Sequence, residues 1–405
     1  MEPAAPATGA QIMRGLIFWL AISAFASSTA VRISDPLFPP VAAEFGVTVG
    51  QASIIAAAYA LAYGLCQLIY GPLGDRFDKL RLVLTSTLMA SAAVFACGLA
   101  PSLDMLAAAR LISGAFAAGI IPLSMAYIGD AVPYEQRQNT LAKLMAGTIS
   151  GVIFGQAAGG FLIEYIDWRA VFFVLAGILL IAALGLGLSI RSLEKQPPMP
   201  AKGLKRTVGD LVGLLRRKGV FPVVGAVFLE GAIVLGVFAY LGSHLHDQFG
   251  LRMDQVGLVL AVFGFGGLTY ALFATFLVRT LGERGLVLIG GAMISLAMMA
   301  AAASSSVTAF YFIAAVTGMG FTMLHNTLQT RATQMAPESR GSAVSLFASM
   351  FFMGQMVGVA IAGWSYDRWG APLGFGASAV LTPLLAAAFA LHLARIKNEN
   401  GRSES

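Results

Sequence analysis

The chain has 405 residues, of which 58% are hydrophobic and 11% charged. A soluble domain carries about 25% charged residues, so this set cannot cover an ordinary folded surface in water. The net charge of +6 is concentrated in alternate loops, as described below, and gives no ground for nucleic-acid binding.

Apolar runs of roughly 20 residues recur along the chain, each long enough to cross ~30 Å of hydrocarbon as a helix. Backbone groups in hydrocarbon must be satisfied inside the segment. The runs lack the short alternating pattern of a membrane β-barrel. The expectation is an all-α membrane protein. In chain order the expected spans are 15–42, 51–72, 81–100, 103–127, 141–163 and 170–190, then 221–242, 255–278, 285–303, 307–330, 341–364 and 372–393. Twelve spans place both termini on one side. Ala26-Ser27-Ser28-Thr29-Ala30 resembles a signal-peptide cleavage region, but cleavage there would spoil the alternation of loop charge, so the first span is taken as retained.

That alternation tests the span count. With the N-terminus cytoplasmic, only Arg169, Arg252 and Arg368 fall in outer loops and Arg32 and Arg110 within spans; every other Lys and Arg lies on the inner side. Such an excess is a strong positive-inside signal, and one missed span would reverse every later loop. Cys66 and Cys97 lie inside spans without a CxxC pattern, which points to packed thiols.

The longest polar interval, 191–219, holds Pro197, Pro198 and Pro200 and then a basic stretch from Leu204 to Lys218. Its apolar positions Leu204, Val208, Leu211, Val212 and Leu215 fall on one helical face, which suits a helix lying along the inner membrane surface. A solvated linker whose charges only enforce topology suits it equally. The expected organisation is a disordered tail over 1–13, a six-helix bundle over 14–190, a cytoplasmic linker over 191–219, a second six-helix bundle over 220–394 and a polar tail over 395–405. The halves echo one another: Phe154-Gly155-Gln156 with Gly159 matches Met353-Gly354-Gln355 with Gly358, about 200 residues on. Duplicated six-span units are a feature of transporter architecture.

The loop after span two reads Gly71-Pro72-Leu73-Gly74-Asp75-Arg76-Phe77-Asp78-Lys79-Leu80-Arg81. It resembles the Gly-x-x-x-Asp-Arg-x-Gly-x-Arg signature of the major facilitator superfamily, with Asp78 where that signature has its second Gly. A degenerate copy, Leu281-Gly282-Glu283-Arg284-Gly285, follows span eight. Span four carries Arg110-Leu111-Ile112-Ser113-Gly114, similar to the family's Arg-x-x-x-Gly element, and Trp168-Arg169 with Phe172 follows span five. The resemblance covers about 14–395. It implies two pseudo-symmetric six-helix bundles around a central path, with spans one, four, seven and ten lining the cavity and spans three, six, nine and twelve facing lipid. It also implies a conformational latch of Gly71, Gly74, Asp75, Arg76, Lys79 and Arg81 with Asp130, holding the outward-open state.

Gly147, Gly151, Gly155 and Gly159 repeat every four residues in span five, beside Gly160. That spacing puts small residues on one face, where another helix backbone can approach closely; Gly354 and Gly358 mark the corresponding face of span eleven. Exporters of the superfamily have a similar element with Gly-Pro, and Gln156 stands at the Pro position here.

Ionisable groups inside spans are costly and mark pathways or relays. Here they are Arg32 and Asp35 on span one, Arg110 on span four, Glu230 on span seven and His325, beside Asn326, on span ten. Arg110 lies ~10 Å from the outer end of its span, where Asp35 could pair with it, and Glu230 lies ~16 Å from the inner end, near mid-bilayer. The expectation is that Asp35 or Glu230, tuned by Arg32 and Arg110, couples proton movement to transport; His325, with Asn326 and Gln329, would join the relay or donate to substrate, or equally would only cap a polar seam between helices. A static ion-pair network orienting the helices is the alternative. His244, His246 and Asp247 have metal-ligand chemistry but no further ligand, so neither a metal nor a cofactor is expected. Met319, Met323, Met350 and Met353 with Phe228, Phe238, Phe263 and Phe265 suit an adaptable apolar surface.

No nucleotide loop or nucleophile–base pair occurs at a defined spacing, so an enzyme is not expected. The resemblance is to the drug/proton antiporter branch and implies efflux of small amphiphilic compounds from a monomer in the bacterial inner membrane. An importer or exchanger of an organic anion or sugar, with Arg32 and Arg110 binding substrate, is the alternative.

Overall fold

The computed structural model describes residues 9–191, 213, 219–336 and 340–403. Every regular element among them is helical. Eleven stretches are long and apolar enough to cross a membrane: Met13–Phe45, Val49–Arg76, Lys79–Gly98, Leu103–Ala131, Tyr134–Tyr165, Trp168–Arg191, Val220–Phe249, Met253–Ala303, Val307–Gln334, Gly341–Trp369 and Ala371–Ile396. One of them, Met253–Ala303, has 51 residues, ~77 Å of helix and over twice the ~30 Å of hydrocarbon. It covers expected spans eight and nine and breaks at Gly282 (φ 62°, ψ 177°). An L side chain hardly enters that conformation, so glycine marks the turn in the degenerate loop.

Helix ends differ from the expected ones where nothing stops the helix. The first helix starts at Gly9, inside the stretch expected to be a tail over 1–13, because Ala10 to Met13 carry neither Pro nor Gly. The last runs from Ala371 to Ser403, through most of the polar tail expected over 395–405, where Lys, Glu and Arg are good helix formers. The expected surface helix of the linker, Gly213 apart, lies outside the described residues.

Spans one and five meet along the glycine ladder. A Cβ on Gly147 or Gly151 would collide with the carbonyl of Ala21 or Phe25, and one on Gly155 would press on the backbone of Thr29 at 3.1 Å. Thr29 Oγ1 donates to the Gly151 carbonyl at 3.0 Å across this contact. Spans seven and eleven repeat it: Gly354 abuts the Phe228 carbonyl and Gly358 that of Ala232. Each of these residues lies 203 positions after its counterpart, Phe228 after Phe25 and Gly354 after Gly151, so the structure moves the sequence match of Gly354 with Gly155 by one helical turn. The same duplication appears where Ser91 Oγ donates to the Ala176 carbonyl at 2.8 Å and Ser295 Oγ to that of Ala379 at 2.6 Å.

Hydrogen bonds draw the turns near 44–50, 100, 164–169, 252–254 and 367 to one end of the bundle, the distal end. Ion pairs Lys79–Asp130 and Glu283–Arg331 lie at the other. The helices before 191 and after 219 close on each other distally: Phe38 and Tyr240 have ring centroids 5.4 Å apart, and Gly160 meets Gly257 as Gly50 meets Gly363. At the opposite end Leu68 of span two packs with Val220, Val224 and Leu346.

Among the described residues span two breaks near its distal start, at Ser53, and spans one, four and seven are interrupted further in. Span one ends its α-helix at Arg32, turns at Ile33 and Ser34 and continues as a 3-10 turn Asp35–Leu37 before Phe38–Phe45. Pro36, Pro39 and Pro40 lack the N–H that would continue the ladder. Span four pauses between Ala117 and Ile120. Span seven passes from Val220–Glu230 into a π-turn over Gly231–Leu235 and breaks again before Leu241. Span ten, Val307–Gln334, is continuous.

Candidate functional site

Each charge of the expected relay sits beside one of these interruptions. Asp35 begins the 3-10 turn of span one and is 1% exposed. Arg32, one turn earlier and on the same face, donates to Asp35 Oδ2 at 3.4 Å, and Gln156 Nε2 of span five donates to the same oxygen at 3.3 Å. The Arg32 guanidinium also stands 5.6 Å from the Phe263 ring of span eight, which makes it a cation–π contact between the halves.

Arg110 does not pair with Asp35 as the depth argument suggested. Its Nη2 donates to the Ala30 carbonyl at 3.0 Å and to Ser34 Oγ at 2.8 Å, its Nε to the Ile55 carbonyl at 3.2 Å. Its guanidinium lies 4.1 Å from the Tyr59 ring centroid. Span one stops its α-helix just past Ala30, and the last turn of a helix offers carbonyls without intrahelical donors. A fully buried guanidinium takes them, tying spans one, two and four together, and feels Asp35 only through space.

Glu230 forms a separate centre. It is fully buried, and its Oε2 lies 2.8 Å from His325 Nδ1 of span ten, while its Oε1 has no hydrogen-bond partner among the described residues. His325 stacks on Phe321 at 5.1 Å and touches Phe351 at 4.7 Å and Phe347 at 5.3 Å. Neither Arg32 nor Arg110 bonds Glu230; its hydrogen-bond partner is His325. Asn326 points away, about 100° round the helix, and donates to Tyr270 Oη at 3.1 Å.

In the loop after span two, Lys79 Nζ and Asp130 Oδ2 are 2.8 Å apart. Asp75, Arg76 and Arg81 are exposed, and Asp75 has no ion pair among the described side chains. Gly74 packs on Leu123, and a Cβ on Gly71 would lie 3.5 Å from Ser345 Oγ. Asp78 (φ −59°) needs no glycine conformation; it accepts from the Arg81 amide at 2.9 Å and caps Lys79–Gly98. Glycine ladder member Gly159 sits 3.5 Å, by its added Cβ, from Pro36 Cγ. His244, His246 and Asp247 diverge: His244 sits among Phe249, Phe310 and Phe375, His246 Nδ1 meets the Leu251 carbonyl, and Asp247 accepts from Tyr366. No group of three metal-ligand side chains forms among the described residues. Phe238 and Phe263 touch, with ring centroids 4.6 Å apart.

Sequence reasoning missed Gln156 as a partner of Asp35 and the phenylalanine surround of His325. The first had a visible signal, an amide where the resemblance led one to expect Pro. The second had none, because Phe321, Phe347 and Phe351 look like ordinary apolar span residues.

A multi-pass helical membrane protein with duplicated helix contacts, interrupted helices and buried charge at its centre is built as a carrier of small molecules. The Major Facilitator Superfamily profile matches residues 20–252 and 236–405, and the chain belongs to that superfamily of membrane transporters. The chain is 27% identical over 369 residues, 89% of this chain and 92% of the other, to the MFS-type transporter YceJ of Bacillus subtilis (strain 168). It is 26% identical over 266 residues, 63% and 65% of the two chains, to a chloramphenicol resistance protein of Streptomyces lividans. The nucleoside transporter NupG superposes with a TM-score of 0.74 at 14% identity, covering 92% of this chain and 98% of NupG, and shares the fold.

Proposed function

We propose that this chain is a proton-coupled exporter of small amphiphilic compounds, working by alternating access as a monomer in the bacterial inner membrane. Its Met253–Ala303 helix, folded back at Gly282, then supplies two crossings, making twelve in two six-helix bundles with both termini cytoplasmic. The carrying observation is the pair of buried carboxylates at broken helices: Asp35 with Arg32 and Gln156, and Glu230 with His325. A carboxyl group in such a place can exchange its proton when its surroundings open to the other side. Phe321, Phe347 and Phe351 around His325 give the apolar wall an amphiphile needs. Relatives of this chain include a chloramphenicol resistance protein and, over 38% of this chain, the multidrug export protein EmrB of Haemophilus influenzae. Import of an organic anion on the arginines is disfavoured by Arg110, whose guanidinium is fully buried, with Nε and Nη2 on two carbonyls and Ser34 and its face on Tyr59, leaving Nη1 alone without a partner among the described residues.

Inside-out vesicles with an acidic interior and a pH-sensitive dye test the proposal. Cationic, neutral and anionic compounds are added in turn to wild type, Asp35→Asn and Glu230→Gln. Proton release triggered by one compound class and lost in either variant supports antiport. Equilibration of labelled organic anions or sugars without proton movement overturns it.

A further inference from the structure

We infer that Glu164 and Asp367 form a two-point latch at the distal end, each carboxylate capping the first turn of a helix from the opposite half. Glu164 ends span five, and its Oε2 accepts from the Met253 amide at 2.9 Å, at the start of span eight. Asp367 ends span eleven; its Oδ1 accepts from the Gly50 amide at 2.8 Å and its Oδ2 from Thr48 Oγ1 at 2.5 Å, at the start of span two. The two carboxylates lie 203 positions apart, the offset of the glycine contacts above.

The resemblance extends to what surrounds them. One helical turn before each carboxylate stands a glycine, Gly160 and Gly363. A Cβ on Gly160 would strike the Met253 carbonyl and one on Gly363 would reach the backbone of Gly50. Each glycine lets a helix of the other half come close enough for the carboxylate to reach its amides. The capped turns match too: Gln51 Oε1 accepts from the Thr48 amide at 3.0 Å and Gln255 Oε1 from the Arg252 amide at 3.2 Å. Gly-x-x-x-acid facing a Gln-closed helix start therefore occurs twice, once on each side of the central path.

A carboxylate at a helix N-terminus gains from the orphan amides and from the helix dipole. Both caps sit at the water-facing rim, where such bonds are modest. That suits a gate, which has to bias one state without trapping it. Each cap joins the halves, so the distal path cannot open without breaking both. The duplication also makes their breaking symmetric, because rocking one half against the other draws Glu164 from the Met253 amide and the Gly50 amide from Asp367 together.

The latch rests on the alternating-access part of the proposal and is independent of proton coupling, so the test reads distances and no proton flux. Spin labels at Leu99 and Ser305 report the distal separation, and labels at Gln138 and Thr280 the opposite end; all four positions are exposed. Glu164→Ala and Asp367→Ala are each expected to raise the distal-open population by about tenfold, and the double variant by about a hundredfold. The distal pair lengthens as the other pair shortens. Glu164→Gln and Asp367→Asn, which keep one acceptor oxygen, shift the same way by less and carry the test if the alanine variants do not fold. Unchanged distances in the paired amide variants, or both pairs lengthening together as in simple loosening, would overturn the latch.

Discussion

Arg110 shows how far a single residue could be read from sequence. Its charge inside span four announced a role, and its depth suggested Asp35 as partner. The partner is another, because the break in span one offers carbonyl oxygens that a one-dimensional argument cannot see. A lysine in its place supplies a point charge and cannot hold the Ile55 and Ala30 carbonyls while lying on Tyr59. Arg110→Lys is expected to lower stability by about 3 kcal/mol, the scale of stripping a buried charge of its partners, and thermal unfolding in detergent measures it. Glycines separate in the same assay. Gly151→Val drives a branched side chain into the Phe25 carbonyl and is expected to abolish folding, whereas Gly225→Ala meets nothing within 4 Å and should leave the unfolding temperature unchanged or slightly raised. Glu230 and His325 were each visible as ionisable residues at suitable depths. Their pairing was not, since spans seven and ten are 95 residues apart along the chain and no periodicity links them.

At the scale of elements, apolar run length located every described helix long enough to cross a membrane, because hydrocarbon thickness leaves so few solutions. What it could not locate were the interruptions. Breaks after Arg32 and around Ala118 and Tyr240 depend on prolines, tyrosines and neighbours packed from other helices. The π-turn after Glu230 has no proline at all. Such turns open a helix by one residue and recur at functional positions. The two loops of the resemblance solve their turns differently. Asp78 uses its side chain to cap Lys79–Gly98, so Asp78→Ala should cost about 1 kcal/mol. Gly282 uses its freedom at φ 62°, so Gly282→Ala should cost about 1–3 kcal/mol through backbone strain. Denaturant or thermal unfolding of both variants checks the pair, and equal small effects would mean that the loop after span eight tolerates another geometry.

For the whole molecule the question is which end is held shut and by what. The structure has the distal end closed by Phe38 on Tyr240, the Gly160 and Gly50 approaches and the two carboxylate caps. At the other end Lys79–Asp130 stays within the first half, and Asp75 is exposed. If Asp75 latches the distal-open state, as the resemblance implies, its present exposure is what a released latch looks like, and neutralising it should remove stability only from the state not seen here. Asp75→Asn is then expected to move the population toward the distal-closed structure. In a variant with Cys66 and Cys97 replaced, a reporter cysteine at Thr330, exposed on span ten, should react faster with a maleimide, and one at Ser243, fully buried near the distal end, more slowly. The two rates must move in opposite directions, because one equilibrium governs both ends. Unchanged rates would leave the charges of this loop with the task of ending the helices at the membrane surface, and the two ends of the path would then be held by unlike means: a carboxylate latch distally, and packing of Leu68 on Leu346 and Val220 at the other.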